Sequence, residues 1–175
     1  MEQTLTSTIT DKTVPIFILG MKNNKVSQYY EKLCIDNFKK FGYNNINHFE
    51  AIVPETMGNE LTFESHRIYS ATKKREWDVV EKAIWYSHYS LWCKCIELNE
   101  TIIVAEHDCM MTKPFTDIVL EHGLFSFAAT TRTTNSIAGV GYIIKQRYAI
   151  KMVEKATTIL INNPCDGFIH GLQIK

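Results

Sequence analysis

Glu106-His107-Asp108 sets two carboxylates two residues apart, directly after Thr101-Ile102-Ile103-Val104-Ala105, the clearest strand pattern in the chain. If the extended backbone continues through the triplet, alternation turns Glu106 and Asp108 to one side, within reach of a single cation. Hard oxygen ligands favour Mg²⁺ or Mn²⁺, which commonly bind through one or two carboxylates plus substrate phosphates. His107 between them is a further candidate ligand. The same residues would also suit a solvated strand end with no chemistry at all.

Other chemistry-bearing residues are scattered. His107 and Cys109 could join Cys93, Cys95, Cys165 or His170 around zinc, although no C-x₂-C or H-x₃-H spacing is present. Ser87-His88 falls in the middle of an apolar helical pattern, where a histidine either bonds inside the core or faces the acids that follow. Thr130-Thr131-Arg132-Thr133-Thr134-Asn135 is a polar run between two apolar segments, with Arg132 its only cation; it could hydrogen-bond a sugar or phosphate, or be a surface turn. Asp166 in Pro164-Cys165-Asp166-Gly167 is either a turn former or a carboxylate returned toward the site. There is no P-loop, no G-x-G-x-x-G and no G-x-S-x-G, which removes the main support for ATPase, dinucleotide-dehydrogenase and α/β-hydrolase readings.

The elements that must position these residues are legible in outline. Val14 to Leu19, closed by Gly20, has the continuous apolar content of a strand buried on both faces. Tyr30, Leu33, Cys34, Asn37, Phe38 and Phe41 follow at helical spacing and stop at Gly42. Ile46 to Val53 reads as a strand stopped by Pro54, and Glu55 to Lys73 as a long loop. Lys74 to Leu98 carries a strong three- and four-residue apolar period. Phe125–Thr130 and Gly139–Ile144 read as strands, and Lys145–Leu160 as a helix. Strand, helix, strand, helix, strand predicts an α/β layer fold with a largely parallel sheet, and ligands in such folds sit outside the carboxyl ends of the strands.

Composition bounds the rest. The chain has 175 residues, 45% of them hydrophobic, and 19 basic against 19 acidic residues give zero formal charge. That size suits one domain, here 14–175 after a loose polar leader at 1–13. Zero net charge argues against nucleic acid as a partner, and Lys73-Lys74-Arg75 is the one basic cluster in its favour. No apolar run approaches a membrane span. Five cysteines, an odd number, with no secretory h-region predict free thiols in a reducing, cytoplasmic setting. Nothing in the sequence speaks to oligomeric state.

Taken together, Ala83-Ile84-Trp85-Tyr86-Ser87-His88-Tyr89-Ser90-Leu91-Trp92, then Glu97-Leu98-Asn99-Glu100, then Ile102 to Asp108 resembles the central block of glycosyltransferase family 25, the lipooligosaccharide-biosynthesis glycosyltransferases. Ile16–Leu19, Phe49-Glu50-Ala51, Ala138–Ala149 and Pro164-Cys165-Asp166 resemble the flanking blocks, so the likeness spans most of 14–170. The resemblance implies a GT-A-like α/β fold and transfer of a sugar from a nucleotide sugar, such as a UDP-sugar, to a hydroxylated acceptor, typically a glycan. It implies that Glu106 and Asp108 handle a Mn²⁺ or Mg²⁺ ion and the donor diphosphate, and that Ser87 and His88 match the family's Ser-His pair. Asp166 matches its late Asp, a candidate for the base on the acceptor, with His88 the other. The middle acid of the family's Glu-Asp-Asp is His107 here, and Met21-Lys22-Asn23-Asn24-Lys25 replaces the basic residues usual after the opening strand. A degenerate module that binds the nucleotide sugar without turnover, or a small transferase acting on nucleic acid bases, are the alternative readings.

Overall fold

The computed structural model describes residues 12–57, 78–115, 123–126 and 141–158. Their elements run β1 (Ile16–Gly20), α1 (Lys25–Lys40), β2 (Ile46–Glu50), α2 (Val79–Leu98), β3 (Ile102–Glu106), β4 (Leu124–Ser126), β5 (Gly141–Ile144) and α3 (Gln146–Thr158). The expected leader at 1–13, the loop to Lys73 and the ends of several expected elements fall largely outside these residues.

The strands form one sheet in the order β2-β1-β3-β5-β4. β1 pairs in parallel with β2 and β3, whereas β5 runs antiparallel to both β3 and β4. The largely parallel sheet expected from the sequence is therefore corrected to a mixed one. The physical reason lies in the connections. Parallel neighbours need a crossover of a dozen or more residues, usually a helix, and α1 and α2 supply it. β5 has antiparallel partners on both sides, a pairing that does not require a crossover helix.

Two cores flank the sheet. Phe17, Leu19, Ile102 and Val104 pack against α2 and α3 through Trp85, Leu91, Trp92, Ala149 and Met152. Ile16, Ile18, Ile103 and Ala105 face α1 through Cys34 and Phe38. The chain leaves β1 for β2 on one side and then returns past β1 to β3 on the other. Crossovers of one hand taken in opposite directions put their helices on opposite faces, as α1 and α2 are. That reversal makes the β1/β3 boundary the switch point, where α/β sheets open a crevice.

Local chemistry explains the helix starts. The Asn24 side chain accepts the Val26 and Ser27 amides and begins α1 five residues before the first apolar residue of the expected stripe. Asp78 and Glu81 form a reciprocal capping box at the start of α2. At its other end Asn99 takes a left-handed conformation (φ 56°), which turns the chain straight into β3.

Candidate active site

The carboxyl ends of β1, β2 and β3 converge on a cavity of about 290 Å³ against the first half of α2. Leu19 and Met21 come from the end of β1, Ala51 to Pro54 from beyond β2, Val80, Ala83, Ile84, Ser87 and His88 from α2, and Glu106 and His107 from the end of β3. The walls are apolar and the polar groups few, the usual make-up of a small-molecule site. Pro54, which the sequence marks only as the end of a strand, belongs to the wall.

Ser87 and His88 sit side by side on α2 and do different things. Ser87 is 3% exposed. Its Oγ accepts the Ile52 amide at 2.8 Å and donates to the Ala83 carbonyl at 2.9 Å. The hydroxyl thus staples the segment beyond β2 to the helix and fixes that wall.

His88 is 1% exposed and both ring nitrogens have partners: Nδ1 lies 3.1 Å from the Tyr142 hydroxyl and Nε2 lies 3.5 Å from Glu106 Oε1. Trp92 Nε1, a donor only, gives its proton to the same Tyr142 oxygen at 2.9 Å. A lone pair on Nε2 would face the carboxylate, so the favourable arrangement carries the proton on Nε2. Nδ1 accepts the Tyr142 hydroxyl proton as a hydrogen bond when the ring is neutral, and both nitrogens donate when it is charged. The His88 N–H holds the Glu106 carboxyl below the usual carboxylate range, against the opposing pull of burial, with the charges of His88 and His107 adding to the effect. The result is a fixed anion in the cavity. His88, expected as a candidate base, has a partner at each ring nitrogen.

The triplet does not continue the strand. β3 ends at Glu106, and the Cys109 amide donates back to the Glu106 carbonyl at 3.0 Å, closing a turn over His107 and Asp108. The alternation that was to align Glu106 with Asp108 therefore does not apply. His107 reaches the cavity, with its ring 6.4 Å from that of Tyr30, while Asp108 is exposed and outside the lining. Among the described residues no three His, Cys, Asp or Glu side chains gather as a metal site, zinc included. Cys95 is core, and Cys34, Cys93, Cys95 and Cys109 are free thiols. These residues do not cage a cation by themselves. Arg132 and Asp166 lie outside the described residues.

Sequence reasoning missed a second cluster behind the cavity. His48 on β2 is held between two carboxylates, with Nδ1 2.6 Å from Glu31 of α1 and Nε2 3.0 Å from Glu50. Burial would lower the His48 pKa, but the hydrogen bonds its ring donates to the Glu31 and Glu50 carboxylates outweigh it and raise it. Burial would raise the Glu50 pKa, but the hydrogen bonds it accepts from His48 and the Lys22 amide outweigh it and lower it. Glu50 also accepts the Lys22 amide at 3.0 Å, and the Met21 amide donates to Ser27 Oγ at 2.9 Å. The cluster thereby fixes the turn after β1, whose Met21 lines the cavity. Its sequence signal was His48 and Glu50 two apart on one strand, on the same face.

No curated protein matches the chain. The model of glycosyltransferase family 25 (LPS biosynthesis protein) matches residues 15–126. That span runs from β1 to β4 and takes in every described cavity residue; the resemblance expected at 138–149 and 164–166 lies beyond it. With well over half of its length matched, and with His88 and Glu106 joined at the cavity, the chain belongs to glycosyltransferase family 25.

Proposed function

We propose that the chain moves a sugar from a nucleoside-diphosphate sugar, a UDP-sugar by preference, to a hydroxyl of a glycan acceptor. The observation that carries this reading is the Glu106 carboxylate, kept ionised by the Trp92–Tyr142–His88 chain at the mouth of β3. A carboxylate with a lowered pKa is a weak base but a permanent anion, suited to accept hydrogen bonds from the hydroxyls of the sugar donor or to face a cation. The apolar walls give a nucleobase or sugar ring a surface, and the parallel β2-β1-β3 half supports a GT-A-like donor site.

In the transfer, the acceptor oxygen forms a bond to the anomeric carbon as the bond from that carbon to the phosphate oxygen breaks. The nucleoside diphosphate leaves with the electron pair, and the acceptor proton passes to a base, for which Asp166 is the candidate. Arg132 is a candidate contact to the donor phosphates. A Mn²⁺ or Mg²⁺ ion held by Glu106, Asp108 or His107 together with the diphosphate would supply neutralisation of leaving-group charge. The free thiols of the described cysteines suit a cytoplasmic site of action.

The test is release of UDP from a panel of UDP-sugars with Mn²⁺ and glycan acceptors. Glu106→Gln keeps the size of the side chain and removes the charge, and should slow turnover by about 10²–10³-fold, the scale of losing one preorganised electrostatic contact. Binding of the donor without turnover under every acceptor would overturn the transferase reading in favour of a binding module. Undiminished turnover in Glu106→Gln would remove Glu106 from it.

A further inference from the structure

Helix α1 buries Ser27, Glu31, Cys34 and Phe38 against the sheet. A surface helix of that kind ordinarily has one apolar face. This one has a second: Val26, Tyr29, Tyr30 and Leu33 follow at i, i+3, i+4 and i+7, and are 64%, 61%, 44% and 37% exposed. Along one flank stand Lys25, Lys32 and Lys39, seven residues apart and all exposed, against Asp36 as the one exposed acid of the helix. The chain as a whole has zero net charge, so this basic flank is a local concentration. The stripe reaches the cavity, because Tyr30 meets His107, which lines it.

We propose that the outer face of α1 docks on an anionic lipid bilayer, with the stripe in the headgroup boundary and the lysines on lipid phosphates. Exposed tyrosines and aliphatic residues flanked by lysines are the make-up of helices that lie in a membrane interface. No described helix is long and apolar enough to cross a membrane, so the attachment is peripheral. Docked this way, the protein holds its cavity beside a membrane carrying a lipid-anchored glycan acceptor; that last step rests on the proposed transfer, the surface itself does not.

Cosedimentation of the full chain with vesicles tests it, using phosphatidylglycerol and phosphatidylcholine in equal parts against phosphatidylcholine alone. Binding is expected to the first and not the second, and to fall steeply with salt. The triple variant K25Q/K32Q/K39Q should bind about a hundredfold more weakly, at about fivefold per lysine near an anionic surface. V26S/Y29S, which changes exposed side chains alone, should lose binding while its far-UV dichroism and UDP release with a short soluble acceptor stay as in the wild type. Failure of the wild type to sediment with anionic vesicles, or variants that bind as well as it does, would overturn the proposal. So would a concentration-dependent dimer that V26S/Y29S abolishes, which would put a second copy on this face. Vesicle binding with no turnover on any acceptor would leave docking standing and remove the transfer reading.

Discussion

Gly20 lies where β1 runs into the cavity, and replacing it with alanine tests how tightly the cluster behind that cavity is built. An added Cβ would stand 2.5 Å from Glu31 Oε2, 2.9 Å from Glu31 Cδ and 3.4 Å from His48 Cε1. The first two distances are shorter than side chains tolerate, so the Glu31 carboxylate must swing away. That carboxylate is held 2.6 Å from His48 Nδ1 and is nearly buried. Losing a hydrogen bond between charged groups costs about 1.5–3 kcal/mol, and the reduced freedom of the unfolded chain with alanine returns about 0.4–1 kcal/mol. The expected net effect of Gly20→Ala is destabilisation by about 1–2 kcal/mol. For a chain of this size that lowers Tm by roughly 3–6 °C. Urea titration followed by far-UV dichroism should show a lower midpoint with an unchanged slope. In a Glu31→Ala background the obstruction is gone, and the same substitution should be neutral or slightly stabilising. An equal penalty in both backgrounds, or a stabilised Gly20→Ala single variant, would refute the reasoning.

Two further outcomes follow from the same contacts. The His48 pKa is raised from 6.5, so its contribution is whole below that value and is lost as pH rises through the raised one; Glu50 is lowered from 4.5, so its contribution holds above that value and is lost as pH falls through the lowered one. The stability gap between wild type and His48→Gln should therefore be widest between 4.5 and 6.5 and shrink in alkali; urea midpoints across pH that show a constant or growing gap would contradict this. Tyr142→Phe removes the oxygen shared by Trp92 and His88 and leaves a buried donor without it, at a cost of about 1–3 kcal/mol. It should also let the Glu106 pKa rise back toward 4.5, moving the acid limb of the kcat/KM profile upward; an unmoved limb would detach Tyr142 from Glu106.

The helices and the central strands were legible because their signals are local. The apolar runs at Ile16 and Ile102 and the period from Ala83 to Leu98 each report burial that neighbours in sequence share. Strand direction was not, because β5 is set by its pairing with β3 and β4, distant in sequence. Ser87, His88 and Glu106 were found through their types and the family pattern. Their roles needed three dimensions: Tyr142, which turns His88 inward, sits 54 residues beyond it. The alignment of Asp108 with Glu106 was misread for a local reason, since extrapolating strand alternation past Glu106 ignored the turn that the Cys109 amide closes. Glu31, His48 and Glu50 come from two elements and belong to no motif.

The margins of the sheet bear on how the protein behaves in a crowded solution. Among the described residues its outer strands are five and three residues long, and the longer carries His48 and Glu50. Short margins with charged side chains are poor templates for a further strand, so these strands resist the ladder-by-ladder growth that seeds fibres. Self-association of this chain, where it occurs, should run through helix surfaces and stay reversible.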